Sequence, residues 1–194
     1  DAEELMNYTL TRNIKKLSVG QIVYSAMCYE NGTMFDDGTL LKLSETGFRW
    51  VCGDEYAGEW LKEQAKKKNF KVIIKNSTDQ INNLSVQGPN SKKILEKIIF
   101  TPPTQPTISE LQWFRFTICR LEELNGIPLI VSRTGYTGEL GYEVWCHPDH
   151  ASKVWDKIME AGKDNGLIPA GFGALDLLRI EAGLVLFGNE FDGQ

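Results

Sequence analysis

Residues 132–143 constrain the fold more than any other stretch of this chain, because three glycines recur there at every third position. The stretch is Ser-Arg-Thr-Gly-Tyr-Thr-Gly-Glu-Leu-Gly-Tyr-Glu, with glycine at 135, 138 and 141. On either side, residues 127–131 and 142–146 are rich in β-branched and aromatic side chains, which predicts two strands. Glycine permits a positive φ and a close approach of the backbone, so the pattern predicts a shaped connection between these strands.

The same stretch carries side chains that suit a flat ligand with several N–H donors. Tyr136 offers an aromatic face, and Glu143 offers a carboxylate that can accept two parallel hydrogen bonds. Glu139 and Arg133 are weaker candidates, which we interpret as surface or supporting groups. On the residues alone, a hairpin corner with solvated polar side chains explains the pattern equally well.

The rest of the chain predicts two successive units that each combine strands with a helix. In the first unit, the apolar patterns predict an amphipathic helix over residues 55–68 and strands over residues 19–29, 39–43, 48–52 and 70–74. In the second unit, they predict helices over residues 91–98 and 150–165 and strands over residues 81–86, 114–121, 127–131 and 142–146. The predicted fold class is therefore α+β, with one subdomain over residues 1–80 and another over residues 81–194.

Composition excludes several function classes. The net charge is −5 and the basic residues are scattered, which predicts no nucleic-acid partner. No apolar run approaches the roughly 18 residues of a membrane span, and the N-terminus lacks the three-part form of a signal peptide. The four cysteines are far apart and the two histidines have no cysteine at ligand spacing. We therefore expect reduced thiols, no metal site and a cytosolic type of protein.

Four motifs in order resemble the signature of the glycine-cleavage T-protein (aminomethyltransferase) family. Besides the glycine-rich stretch they are Asn-Gly-Thr-Met-Phe-Asp-Asp at 31–37, Leu-Ser-Val-Gln-Gly-Pro at 84–89, and Leu-Arg-Ile-Glu-Ala-Gly at 178–183 followed by Phe-Gly-Asn at 187–189. The resemblance implies two ferredoxin-like subdomains around a central folate cavity. Family members continue into a C-terminal β-barrel and have more sequence before the equivalent of Leu5, so we expect both to be absent from this chain.

The resemblance also assigns roles to individual residues. Asp36, the first aspartate of the pair Asp36-Asp37, matches the family's catalytic position. Adjacent residues of an extended chain point to opposite faces, so only one of the two can face a given pocket. A turn in which both aspartates accept backbone N–H groups is the structural alternative. Glu143 and Tyr136 match the positions that hold the pterin ring, and Tyr24 resembles a pocket tyrosine, although its strand pattern alone favours a core tyrosine.

The activity that the resemblance implies is tetrahydrofolate-dependent one-carbon transfer, so we expect an enzyme. In the T-protein reaction, tetrahydrofolate attacks an aminomethyl group on the lipoyl arm of a carrier protein, ammonia leaves, and 5,10-methylenetetrahydrofolate forms. The expected partners are tetrahydrofolate, as a cosubstrate, and the lipoyl carrier protein of the glycine cleavage system. The expected location is the cytoplasm, or the mitochondrial matrix in a eukaryote.

One departure from the family pattern supports alternatives to glycine cleavage. T-proteins have Ala-Arg-Asp before the last helix, whereas this chain has Ala174-Leu175-Asp176 and lacks that cationic folate contact. A folate-dependent demethylase of a small methylated amine, such as sarcosine or dimethylglycine, or of a sulfonium donor is therefore the first alternative. A non-catalytic folate-binding regulator is the second. Regulators of this family carry a cysteine in the glycine-rich signature, and residues 136–139 contain none.

Overall fold

The computed structural model describes residues 1–190, which form two compact units. The first unit contains residues 1–76 and the segment that begins at Val185, and the second contains Ser77–Leu184. In each unit, two helices pack on an antiparallel sheet and share a hydrophobic core with it. The α+β class predicted from the sequence is confirmed.

The first unit is built on a three-stranded sheet of order β1-β2-β3. Its elements are α1 Ala2–Thr9, β1 Ile22–Cys28, β2 Met34–Lys42, β3 Phe48–Cys52 and α2 Ala57–Lys67. The apolar residues of α2 recur at helical spacing, so Trp60 and Leu61 are buried against the sheet. Met27 of β1 and Leu40 of β2 are fully buried in this core.

Two sequence predictions in the first unit need correction. Strand β2 begins at Met34, five residues before the predicted strand at 39–43, so both aspartates lie within a strand. Residues 70–74 form no strand, although their alternating apolar side chains pack on the core. The N–H of Phe70 donates to the carbonyl of Ala65 at 2.9 Å, and the N–H of Lys71 donates to the Asp1 carboxylate at 2.7 Å. These two N–H groups therefore take no part in hydrogen bonds between strands.

The second unit is built on a five-stranded sheet of order β4-β8-β7-β6-β5. Its elements are β4 Asn82–Gln87, α3 Ser91–Glu96, β5 Ile99–Phe100, β6 Phe116–Leu121, β7 Pro128–Ser132, β8 Gly141–Cys146, α4 Ala151–Gly162 and α5 Phe172–Glu181. Strand β5 was not predicted, because two residues are too few to show a period. Leu95 of α3 and Val154 of α4 pack against Val131 and Val144 of the sheet.

Among residues 1–190, no helix is both long enough and apolar enough to cross a membrane.

Candidate functional site

The two adjacent aspartates of β2 lie on opposite faces of the first sheet. Asp36 is paired across the sheet with Met27, which is fully buried in the core of this unit. Asp37 is paired with Ala26 and lies on the other face. This alternation follows from the period of two in a strand, as the sequence analysis expected.

Asp36 is held by the backbone around it. The side chain is 2% exposed, its Oδ1 accepts the N–H of Asp37 at 2.8 Å, and its Oδ2 accepts the N–H of Asp54 at 2.9 Å. Asp54 belongs to the segment between β3 and α2, so the carboxylate ties that segment to β2. This geometry indicates a structural role for the Asp36 side chain. It does not favour the catalytic role that the resemblance assigns to this residue.

The neighbouring thiol of Cys52 responds to the charge of Asp36. Burial, followed by the negative charge of Asp36 and a hydrogen bond with it, raises the pKa of Cys52 to about 12. The thiol is therefore neutral at neutral pH, which makes it a poor nucleophile.

We expect Asp36→Asn to lower the pKa of Cys52, since the thiolate would then form without an adjacent negative charge. Burial persists in this variant, so the pKa should stay above the ordinary value for a thiol. The test is the rate of Cys52 alkylation by iodoacetamide between pH 8 and 10 (a range of about two units around the ordinary thiol pKa), followed by peptide mass spectrometry. Asp37→Asn, on the opposite sheet face, is the matched control. Equal alkylation rates in wild type and Asp36→Asn would refute the coupling.

Asp37 contacts Tyr24 on the other face of the sheet. Tyr24 is paired with Thr39, so Tyr24 and Asp37 are diagonal neighbours on adjacent strands. The Tyr24 hydroxyl donates to Oδ2 of Asp37 at 2.5 Å. Tyr24 is 38% exposed, so the interpretation of this residue as a core tyrosine is wrong. A carboxylate and a phenol therefore stand together on an accessible sheet face.

In the second unit, the glycine-rich stretch is shaped around the side chain of Gln87. A Cβ atom at Gly135 or Gly141 would lie 2.0 Å or 1.8 Å from the Gln87 Oε1. The Gln87 Nε2 donates to the carbonyl of Tyr142 at 3.1 Å, which fixes the amide in place. Gly138 adopts a φ of +74°. The predicted close approach of the backbone is therefore confirmed, and Gln87 is the group that requires it.

Glu143 lies on β8 beside this stretch, on the sheet face opposite the core residue Val144. The side chain is half-buried, and its Oε1 accepts the Asn83 Nδ2–H at 2.8 Å. Its Oε2 accepts the hydroxyl of Thr134. Glu143 is thus held by two neighbours, which differs from the solvated polar corner that the residues alone allowed.

The remaining candidates of the glycine-rich stretch have less defined environments. Tyr136 is half-buried within the stretch, and Glu139 is exposed. Arg133 donates from Nη1 to the carbonyl of Leu111 at 3.0 Å, which agrees with its interpretation as a supporting group.

The sequence reasoning missed four residues around Glu143, namely Asn83, Ser132, Thr134 and Trp145. A signal for two of them was present, since Ser132 and Thr134 alternate on the strand end that leads into the glycines. Nothing local marks Asn83, which lies 60 residues from Glu143 in the chain.

Helix α5 contains Leu175, at the position where the resemblance implies an arginine in T-proteins. Leu175 is half-buried there. The buried Arg179 donates from Nε to Asp176 at 2.8 Å and from Nη1 to the carbonyl of Leu184 at 3.3 Å. Arg179 is therefore bound to a carboxylate of its own helix and to the backbone that follows the helix.

A separate cavity of about 600 Å³ opens in the first unit. It is lined by residues of α1, α2 and the end of β1, including Tyr8, Tyr29, Trp60 and Gln64. Tyr24, Asp36 and Asp37 do not line it. Within the described part of the chain, no three His, Cys, Asp or Glu side chains are close enough to hold a metal ion.

Comparison with known proteins settles the family. The model of the GCVT N-terminal domain matches residues 1–194. The chain belongs to this family. A solved structure, the glycine cleavage system aminomethyltransferase T from Bartonella henselae, superimposes with a TM-score of 0.78 and 26% identity, covering 99% of this chain and 49% of that one. The T-protein resemblance is therefore confirmed, and the mixed fold of sheets and helices matches that of this domain family.

Proteins similar in sequence to this chain carry names that describe two different activities. A trimethylamine-oxide aldolase of Ruegeria pomeroyi is 51% identical over 194 residues, which are 100% of this chain and 25% of that protein. An aminomethyltransferase of Halothermothrix orenii is 39% identical over 194 residues, which are 98% of this chain and 51% of that protein. The chain thus spans between a quarter and about half of the length of these GCVT relatives.

Proposed function

We propose that this chain is the folate-binding part of a tetrahydrofolate-dependent one-carbon transferase. The observation that carries the proposal is the anchored carboxylate of Glu143 beside the glycine-rich connection. The family resemblance assigns this position to the pterin ring. Each carboxylate oxygen has two lone pairs and uses one of them for Asn83 or Thr134, so one is left on each oxygen. Two parallel N–H donors of a pterin, its 2-amino group and N3–H, match that arrangement.

The proposed chemistry is the transfer of a one-carbon unit to a nitrogen of tetrahydrofolate. The main contribution of the protein is to hold two reactants in position, while a carboxylate stabilises the positive charge that develops on the folate nitrogen and the departing amine. Tyr136 flanks the ring in this proposal. Tyr24 donates a hydrogen bond to Asp37, the aspartate that we propose below as the catalytic carboxylate.

The geometry of β2 favours Asp37 as that carboxylate, although the resemblance favours Asp36. Asp37 lies on the accessible sheet face and accepts one side-chain hydrogen bond, from Tyr24. Both oxygens of Asp36 are bound to backbone N–H groups. Asp36 is 2% exposed, so a reactant on the accessible sheet face cannot reach its carboxylate. We therefore propose Asp37 as the catalytic group and retain Asp36 as the rival to be tested.

Two donors fit the proposal. The first is the aminomethyl group on a lipoyl carrier protein, as the relatives named aminomethyltransferase indicate. The second is a small methylated amine or its N-oxide, and two observations favour it. The chain is 51% identical to a trimethylamine-oxide aldolase, and Leu175 stands where T-proteins have an arginine.

The test is an assay of the full-length protein with tetrahydrofolate and five donors in turn. These are aminomethylated carrier protein, sarcosine, dimethylglycine, trimethylamine N-oxide and a sulfonium compound, with the folate product identified by mass spectrometry. We expect 5,10-methylenetetrahydrofolate or a methylated folate with at least one donor. Folate binding without any product would favour the regulator alternative, and an absence of binding would refute the proposed function.

A further inference from the structure

We propose that Trp145, Ser132 and Thr134 form a one-way hydrogen-bond relay that orients Glu143 toward its ligand. The inference rests on the proposed function, because it concerns how the same carboxylate selects a pterin. The relay makes these three side chains positioning residues, since they reach the ligand only through Glu143.

The direction of the relay is fixed by its two ends. The indole of Trp145 can only donate, and its Nε1–H lies 3.0 Å from the Ser132 Oγ. At the other end an ionised carboxylate can only accept, and Glu143 accepts the single hydroxyl proton of Thr134. The Ser132 and Thr134 oxygens are 2.7 Å apart, so Ser132 must be the donor of that bond. The protons therefore point from Trp145 to Glu143 at every step.

The relay is enclosed, which makes each bond hard to replace by water. Ser132 is 0% exposed, Thr134 is 5% exposed and Trp145 is 9% exposed. Buried hydrogen bonds of this kind cost much more when one partner is removed than they contribute on average. Rotation of the Glu143 carboxylate away from Thr134 would leave a buried hydroxyl without an acceptor, so the orientation of the carboxylate is set before a ligand arrives.

Asn83 completes the orientation from the other side. Its Nδ2–H reaches Oε1 at 2.8 Å, while Thr134 reaches Oε2, so the plane of the carboxylate is defined by two anchors. The lone pairs that are left accept N–H donors and repel acceptor atoms. The relay therefore selects a heterocycle with two adjacent N–H groups, such as a 2-amino-4-oxopterin, over one with a methyl group or an acceptor in place of the 2-amino group.

The test combines a change in the protein with a change in the ligand. Thr134→Val removes the relay hydroxyl and keeps the shape, and Thr134→Ser restores the hydroxyl. Thr117→Val is the matched control, because Thr117 is buried in the same unit and its hydroxyl donates elsewhere, to Pro106 at 2.8 Å. Calorimetry on the full-length protein measures binding of tetrahydrofolate and of its 2-desamino-2-methyl analogue. Thermal unfolding of each variant checks that it is folded.

We expect Thr134→Val to weaken tetrahydrofolate binding about tenfold, with a clearly smaller loss for the analogue, which lacks one of the two N–H donors. Thr134→Ser and Thr117→Val should bind both ligands as the unchanged protein does. A merely structural role of Thr134 would reduce binding of both ligands equally, and that result, or no loss at all, would overturn the relay.

If Thr134→Val does not fold, Ser132→Ala provides the second test, because it removes the donor to Thr134 and should show the same ligand dependence with a smaller loss. Equal effects of Ser132→Ala on the two ligands would overturn the relay. Failure of the unchanged protein to bind tetrahydrofolate would overturn the proposed function, and this inference with it.

Discussion

Asp37→Asn is expected to lower the rate of one-carbon transfer by roughly 10²–10³-fold, or about 3–4 kcal/mol of transition-state stabilisation. The substitution keeps the volume of the side chain and its ability to accept from Tyr24. It removes the negative charge that would stabilise a cation in the transition state. Folate affinity should change far less, because the charge is needed only when the one-carbon unit is transferred. Steady-state rates and folate affinity, both normalised to folded protein, provide the measurement.

Asp36→Asn is the comparison that separates the two aspartates. An asparagine offers one acceptor oxygen where two backbone N–H groups now bind, so one N–H would face an amide NH₂. Leaving a buried donor unpaired costs about 1–3 kcal/mol of stability. The free energy of unfolding should therefore fall in Asp36→Asn while turnover per folded molecule is largely kept. A larger loss of turnover in Asp36→Asn than in Asp37→Asn would restore the role that the family resemblance gives to Asp36.

Glu143→Gln is expected to weaken tetrahydrofolate binding by about 2–4 kcal/mol. Glutamine keeps the shape but turns one acceptor oxygen into an NH₂ donor. That donor would face either a pterin N–H or one of the two present donors, Asn83 and Thr134. The variant also loses the charge that strengthens both bonds to the ligand. Calorimetry on the full-length protein gives the dissociation constant.

Glu139→Gln is the matched control for Glu143→Gln, since Glu139 belongs to the same glycine-rich stretch and is exposed. It should leave the dissociation constant unchanged. An unchanged dissociation constant in Glu143→Gln itself would remove Glu143 from the folate site, whatever the effect on stability.

The features that the sequence predicted are those that nearby residues determine. The amphipathic spacing of α2 and the glycine spacing at 135, 138 and 141 are each patterns within a few neighbouring residues, and the structure shows both the helix and the shaped connection. Gln87, the group that requires these glycines, lies far away in the chain and was not predicted. The opposite directions of Asp36 and Asp37 follow from the period of a strand in the same way. Local pattern was therefore enough to indicate the elements and the shape of the glycine-rich connection.

The features that the sequence did not predict depend on partners far away in the chain. Residues 70–74 have a strand pattern, but their N–H groups bond to a helix end and to Asp1. Which aspartate is structural depends on Asp54, which approaches β2 only once β3 and the start of α2 are in place. The environment of Glu143 likewise requires the pairing of β4 with β8, which brings Asn83 alongside.

A crystal structure of the full-length protein with tetrahydrofolate bound tests the central claim most directly. We expect the pterin N3 and 2-amino nitrogens each to lie about 3 Å from a carboxylate oxygen of Glu143. Asn83 and Thr134 should keep their present bonds to the same carboxylate. An ordered pterin bound elsewhere, with Glu143 in contact only with Asn83 and Thr134, would contradict it.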